Sequence, residues 1–384
     1  MRNKPKRKFI KQYSLRYLIM HNKKTLVLAL VFLIILIISC APKQSFFPEK
    51  VNKTKAIVQS SQEPDAKETV QPIVEEKELV EETEPSAVLA ETKQTFPRKD
   101  IKLYLGFWMP ALQGEGEQSL EKREDLLALG ANTVAFGVVI PYFPDGTLDA
   151  EEVAVSKEDA RRLIRHYKES GLAVVFSPEP VPAYLEGEPT PVPANVRETL
   201  LRNYETVIID LGTIAEEENV EIFSPMNEPD YKLGYETASS WGQEILPRIR
   251  QVYTGELMWK GMSTQDGSKL NQVDFSGYDV IGFTSFPWSG IDKYKTELGS
   301  FITTLQKKAA EDGVNKLIAA ELGTYEPLRL SKQEEPKSIQ YVFDEGKGKL
   351  QGFFVFDPPS GFGTPIKGSE LENVVKVEFE KLKE

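Results

Sequence analysis

Residues 100–384 predict a (β/α)8 barrel of the TIM type, an α/β fold in which eight strands alternate with helices and close on themselves. Three observations carry this. Eight short apolar runs follow one another, polar helix-like stretches separate most of them, and the segment is close to the ~250 residues such barrels usually take. A doubly wound open sheet is the alternative. The even spacing of eight units and the lack of a glycine-rich phosphate loop favour the closed barrel.

The runs are β-branched or aromatic and four to eight residues long, as buried parallel strands should be. The first is LYLGFW (103–108). The second, NTVAFGVV (132–139), is entered through the glycine turn LGAN (129–132). A helix is predicted over SKEDARRLIRHYKESG (156–171), with Ser156 as N-cap and Glu158 and Asp159 in the first turn, where the helix dipole favours acids. Gly171 ends it, and SGLA (170–173) leads into the third run, LAVVFS (172–177). The fourth is VEIFSP (220–225) and the fifth LMWKGMS (257–263), whose Trp259 reads as core. DVIGFTSF (279–286), KLIAAE (316–321) and GFFVF (352–356) complete the set.

The chain before the barrel has a different character. All 26 glycines lie at or beyond Gly106. Residues 1–24 are strongly basic, and TLVLALVFLIILIISC (25–40) follows. Its apolar run is short for a membrane span, which needs roughly 17–25 residues, and fits a secretory signal. Its last four residues, Ile37-Ile38-Ser39-Cys40, resemble the lipobox of bacterial lipoproteins. That resemblance implies cleavage after residue 39, a lipid on Cys40 and attachment to a membrane. It places the rest of the chain in the bacterial cell envelope outside the cytoplasm, at the outer membrane or cell surface. An uncleaved signal anchor is the alternative. Residues 40–99 read as a disordered acidic tether. The stretch VEEKELVEETEPSAVLAETKQ has no aromatic residue and too little apolar surface to offset the entropy of ordering. Such a tether spans about 40 Å as a flexible chain, with room for a short solvated helix near Glu75–Glu84.

Composition excludes several classes. The 384 residues carry a net charge of -11, which argues against nucleic acid as a partner. One cysteine permits no intramolecular disulfide. Only two histidines are present, His21 and His166, so a zinc site built on several His or Cys is excluded. His166 falls on an outer helix and reads as a surface residue. No metal and no cofactor is expected.

In barrels of this type the reactive side chains gather at the carboxyl ends of the strands. Those ends offer Trp108, Tyr142, Ser177, Glu179, Asn227, Glu228, Ser263, Gln265, Phe286, Trp288, Glu321 and Asp357, a ring of acids, amides and aromatics. Two acids stand out. Glu228, in EIFSPMNEPD, ends strand four, and Glu321, in LIAAELGTYEP, ends strand seven. The interval holds three βα units of roughly 31 residues each, so both acids are expected in one mouth.

This pattern resembles the clan A glycoside hydrolases, which keep an Asn-Glu pair, often followed by Pro, on strand four and a lone Glu on strand seven. The resemblance implies Glu228 as general acid/base, Glu321 as nucleophile and Asn227 as the amide that bonds the sugar 2-hydroxyl. It leans towards mannan- or galactan-cleaving families. Retaining cleavage asks for two carboxyls about 5–5.5 Å apart, one protonated and one ionised. Repulsion between nearby carboxyls splits their pKa values in that sense. Trp108, Tyr142, Phe286 and Trp288 are candidate platforms for sugar faces, with core or rim packing as the alternative. Tyr231 and Tyr325 follow the two glutamates and are candidates to touch substrate. Glu179 is a candidate hydroxyl contact or a loop-ordering acid, and Asp357 is similar. The chain departs from the family in three places. A His near strand three and a Trp ending strand eight give way to FSPEP and FVFDPP, and the strand-six Tyr gives way to TSFPW.

The expected function is a retaining β-glycoside hydrolase acting on extracellular poly- or oligosaccharide. The alternatives are a non-catalytic glycan-binding lipoprotein on a degenerate barrel, and an envelope-attachment protein whose tether is the main feature.

Overall fold

A computed structural model describes residues 96–109, 122–183, 191–324, 330–357 and 364–384. The signal segment, Cys40, residues 41–95 of the tether with its Glu75–Glu84 stretch, and Tyr325 lie outside the described residues. Residues 96–99, read from the sequence as tether, are instead held on the barrel, where Arg98 pairs with Glu216 and the Lys99 amide donates to Glu221. Among the described residues, no helix is long and apolar enough to cross a membrane.

All eight predicted runs are strands: β1 (Tyr104–Met109), β2 (Thr133–Phe136), β4 (Ala173–Phe176), β6 (Ile222–Phe223), β7 (Glu256–Ser263), β8 (Val280–Ser285), β9 (Lys316–Leu322) and β10 (Gly352–Phe356). They close into one barrel in the order β1-β10-β9-β8-β7-β6-β4-β2, and every pair is parallel. The helices are α1 (Arg123–Ala128), α2 (Ala150–Glu169), α3 (Arg197–Glu217), α4 (Pro229–Leu233), α5 (Tyr235–Val252), α6 (Ile291–Glu311), α7 (Glu334–Gly346) and α8 (Glu370–Lys383).

Two features differ from the sequence reading. Helix α2 starts two turns earlier than predicted. Asp149 is its N-cap, accepting from the Glu152 amide, with Glu151 and Glu152 in the first turn. Ser156 lies inside the helix and is not a cap. Its hydroxyl donates to the carbonyl of Val139 at 2.6 Å and so ties α2 to the strand before it. The second feature is a small parallel sheet of β3 (Val139–Tyr142) and β5 (Glu179–Pro182), built from the stretches that follow β2 and β4. Its prolines and short length hid it from the period-2 pattern.

Alternation along the strands divides the apolar side chains between two cores. Tyr104, Trp108, Val175, Ile222, Met258, Val280, Ile318 and Phe354 fill the barrel interior. The outward faces pack against the helices, with Phe107 edge-on to Phe379 of α8 and Phe353 against Phe343 of α7. The amino-terminal face is sealed by charge. Lys168 and Glu221, both buried, pair at 2.7 Å. Glu221 also accepts from the amides of Val174 and Lys99.

At the opposite end the ladder becomes irregular. The register shifts between Lys260 and Ser263 on β7 against β8, between Phe283 and Thr284 on β8 against β9, and between Phe353 and Val355 on β10 against β9. Bulges re-aim side chains where strands end and are common beside active sites. Here they surround the two glutamates.

Candidate active site

The NEP tripeptide is a turn with a specific geometry. The chain leaves β6 and Glu228 adopts the left-handed conformation, φ 51° and ψ 55°. Pro229 opens α4 as its first residue, where a missing amide hydrogen costs nothing. A left-handed non-glycine residue costs about 1–3 kcal/mol and persists only when its surroundings hold it. Here the Asn227 amide donates to the carbonyl of Pro178 at 2.9 Å, the Glu228 amide donates to that of Lys260 at 2.8 Å, and the Lys232 amide donates back to Glu228 at 3.0 Å. The strain aims the Glu228 side chain at the barrel mouth.

Glu321 reaches the same mouth from the end of β9. Between the two acids stands Lys260 of β7. Its Nζ lies 2.6 Å from Glu321 Oε2 and 3.3 Å from Glu228 Oε1. Both contacts end on one nitrogen, so the two carboxyl oxygens are no more than about 6 Å apart, close to the ~5–5.5 Å of retaining pairs and below the ~6.5–9.5 Å of inverting ones. The acids keep 24% and 12% of their side-chain surface exposed, while Lys260 has none. The ammonium therefore sits beneath the acids rather than in the mouth. Its underside rests on the Trp108 ring, 4.6 Å from the centroid. Thr284 donates to Glu228 Oε1 at 2.7 Å.

These contacts separate the two carboxyls. Burial pushes Glu228 up, but the charge of Lys260, the Thr284 hydroxyl and Lys232 outweigh it and leave the group below the usual range. Burial also pushes Glu321 up, only partly offset by Lys260, and the like charge of Glu228 adds to the rise, to about 7. The pair thus holds one proton between them as neutral pH is approached from below. Burial alone would strip Lys260 of its proton, but the two glutamates outweigh it and keep it an ammonium.

A supporting layer holds this arrangement. Lys232 is fully buried and pairs with Glu179 at 2.7 Å, and Asn227 Nδ2 donates to Glu179 at 3.1 Å. Glu179 thus orders Asn227, and the buried Asn227 Oδ1 has no hydrogen-bond partner among the described residues. Asp230 accepts from the Met262 amide at 2.8 Å and pins the bulge that carries Lys260. A Cβ on Gly261 would land on Asp230, so only glycine fits there. Burial raises Asp230 to about 7, with the Glu228 charge adding to it.

The aromatic candidates divide. Tyr231 and Trp288 are 48% and 44% exposed. Phe286 is buried, edge-on to Trp288 and to Phe356. Trp108 is buried with one face covered by Lys260, so it supports the site from within. The expectation for Tyr142 does not hold. It lies on β3, which pairs with β5 outside the barrel wall, and is fully buried in the outer core. Asp357 pairs with Lys122 and accepts from the Ile366 amide. Trp259 is core, packed edge-on against Phe275 and Tyr278.

Lys260, Thr284, Asp230 and Lys232 were missed in the sequence. Lys260 left a readable signal: a lysine inside an apolar run of a buried strand needs a partner, because lysine is almost never fully buried unpaired. The other three sit at unremarkable positions. Among the described residues, no group of three or more His, Cys, Asp or Glu is placed to hold a metal ion.

No family model matches the chain, and no curated protein matches it. Solved structures do. A GH113 beta-mannanase, AaManA from Alicyclobacillus acidocaldarius, aligns at 16% identity with a TM-score of 0.59, covering 74% of this chain and 99% of that one. A second GH113 beta-1,4-mannanase aligns at 15% identity with a TM-score of 0.56, covering 73% and 99%. The exo-beta-1,4-mannosidase Op5Man5 from Opitutaceae bacterium strain TAV5 aligns at 15% identity with a TM-score of 0.52, covering 75% and 62%. At these identities the likeness is one of fold, and the chain carries the eight-stranded parallel barrel that these glycosidases share.

Proposed function

We propose that the protein is a retaining β-glycoside hydrolase that cleaves β-linked polysaccharide or oligosaccharide, with β-1,4-mannan as the first substrate to test. The observation that carries this reading is the convergence of Glu228 and Glu321 on one buried nitrogen at the open end of the barrel. The mannan preference rests on the mannanases whose fold the chain shares.

In this reading Glu321 attacks the anomeric carbon while Glu228 protonates the leaving oxygen. Glu228 then takes a proton from water, which releases the covalent intermediate. The empty site holds its charge the other way round, with Glu228 ionised and Glu321 raised. Substrate corrects this. A glycosidic oxygen against Glu228 accepts a hydrogen bond and favours the protonated acid. The proton the pair holds then resides on Glu228 and leaves Glu321 ionised, in its shorter contact to Lys260. Asn227 Oδ1 has no hydrogen-bond partner among the described residues. The exposed Tyr231 and Trp288 serve in this reading as platforms for sugar faces.

The test is a mechanism-based 2-fluoro mannoside followed by peptide mass mapping. A covalent adduct on Glu321 is expected. Turnover on none of a panel of β-linked glycans, with sugar binding intact in Glu228→Gln and Glu321→Gln, would favour a glycan-binding barrel instead.

The resemblance of residues 37–40 to a lipobox supports a lipid anchor at Cys40 and a place in the cell envelope. Replacing Cys40→Ser should move the protein from the detergent phase to the aqueous phase in a phase-partition assay. Unchanged partitioning would overturn the anchor.

A further inference from the structure

Lys260 is the one charged residue of the run LMWKGMS, and it meets both glutamates from below. At the end of β8 both hydroxyls are committed elsewhere. Thr284 gives its hydrogen to Glu228, the Ser285 hydroxyl is shared with Tyr294, and Phe286 is apolar. Lys260 comes instead from the neighbouring strand, and its 2.6 Å contact to Glu321 is the short, charge-assisted kind. Being sealed from solvent, it is a support for the carboxyls and not a substrate contact. The bulge after it and the Asp230 bond to the Met262 amide fix the strand that delivers it.

We propose, resting on the glycosidase reading, that Lys260 is the positioning residue of this reaction: its ammonium orients Glu321 for attack and sets the pH range over which the two glutamates work as a pair. The charged and titratable groups facing the cluster are Glu228 beside α4, Glu321 on β9, Glu179 on β5, and Lys232 and Asp230 on α4, with the Thr284 hydroxyl on β8 and the Trp108 ring on β1. Lys260 is the cation that touches both catalytic candidates.

The sign of the effect follows. A cation beside a carboxyl lowers its proton affinity, so removing Lys260 raises that of both acids. Glu321 must be ionised to attack, so the acid limb of the pH profile moves up. Glu228 must be protonated to act, so the alkaline limb moves up as well. The whole bell for kcat, which reports the substrate complex, should therefore shift to higher pH in Lys260→Met, by about 1 pH unit or more. A residue acting only through packing would lower the rate and leave both limbs in place.

The experiment compares the bells of wild type, Lys260→Met and Lys260→Arg on one β-mannoside. The expected result is an upward shift of both limbs in Lys260→Met and unshifted limbs in the charge-keeping Lys260→Arg. Should Lys260→Met not fold, Lys260→Gln, which is polar and uncharged, replaces it with the same expected upward shift. Unshifted limbs in the uncharged variant, or equal shifts in it and Lys260→Arg, overturn the proposal while leaving the glycosidase reading intact. A wild-type protein without turnover overturns both.

Discussion

Thr284 and Glu321 are register partners across β8 and β9, yet Thr284 gives its hydroxyl hydrogen to Glu228, 2.7 Å away and two strands over. The bond reaches past β7, and Lys260 donates to the same hydroxyl at 3.3 Å. Four strands are thereby tied into one polar cluster.

Thr284→Val tests that tie with little change in volume. It removes a donor to Glu228 alone, so the proton affinity of Glu228 rises and that of Glu321 is left largely as it is. In the glycosidase reading only the alkaline limb of the kcat profile, which reports the substrate complex, moves upward, by less than in Lys260→Met. A stopped assay across pH 4–9 checks it, and movement of the acid limb would contradict the assignment.

Glu228→Gln separates the two glutamates by substrate. General acid–base catalysis contributes about 10²–10⁴-fold, so kcat on β-mannan should fall by that order. An aryl mannoside with a good leaving group does not need the acid in its first step. There an intermediate should accumulate as a burst, visible in rapid-mixing absorbance. Glu321→Gln should show no burst on either substrate.

Asp230 makes the fold sensitive to pH. Its folded pKa of about 7 lies above the unfolded value, so the folded state binds the extra proton between roughly pH 4 and 7. The stability this lends is complete below pH 4 and is lost as the pH rises through 7. Asp230→Asn keeps the acceptor for the Met262 amide and removes the ionisation. Melting temperatures of the variant should fall less steeply between pH 4 and 7 than those of wild type, and equal slopes would refute the linkage.

Lys168 and Glu221 form a buried pair at the far end of the barrel, where stability rather than chemistry is expected. Removing one partner of such a pair typically costs about 3–5 kcal/mol. Lys168→Met should lower the urea midpoint accordingly. Its kcat per folded molecule should stay at the wild-type value.

The order of strands and helices was legible in the sequence because each element depends on local pattern. LAVVFS and KLIAAE alternate or run apolar whatever they later meet, and Gly130 and Gly171 mark the helix ends with φ values of 83° and 79°. The two glutamates were legible for the same reason, since each ends a strand and strand ends share a mouth. What surrounds them was decided by tertiary structure. Tyr142 looked like a rim aromatic until a two-stranded side sheet turned it into the core. Lys260 is one residue of an apolar run in the sequence, and barrel closure brings β6, β8 and β9 around it. Periodicity assigns a side chain to one face of a strand. Which charges it meets there depends on the bulges and the curvature of the closed sheet, and these distances, not the residue types, set the protonation of Glu228 and Glu321.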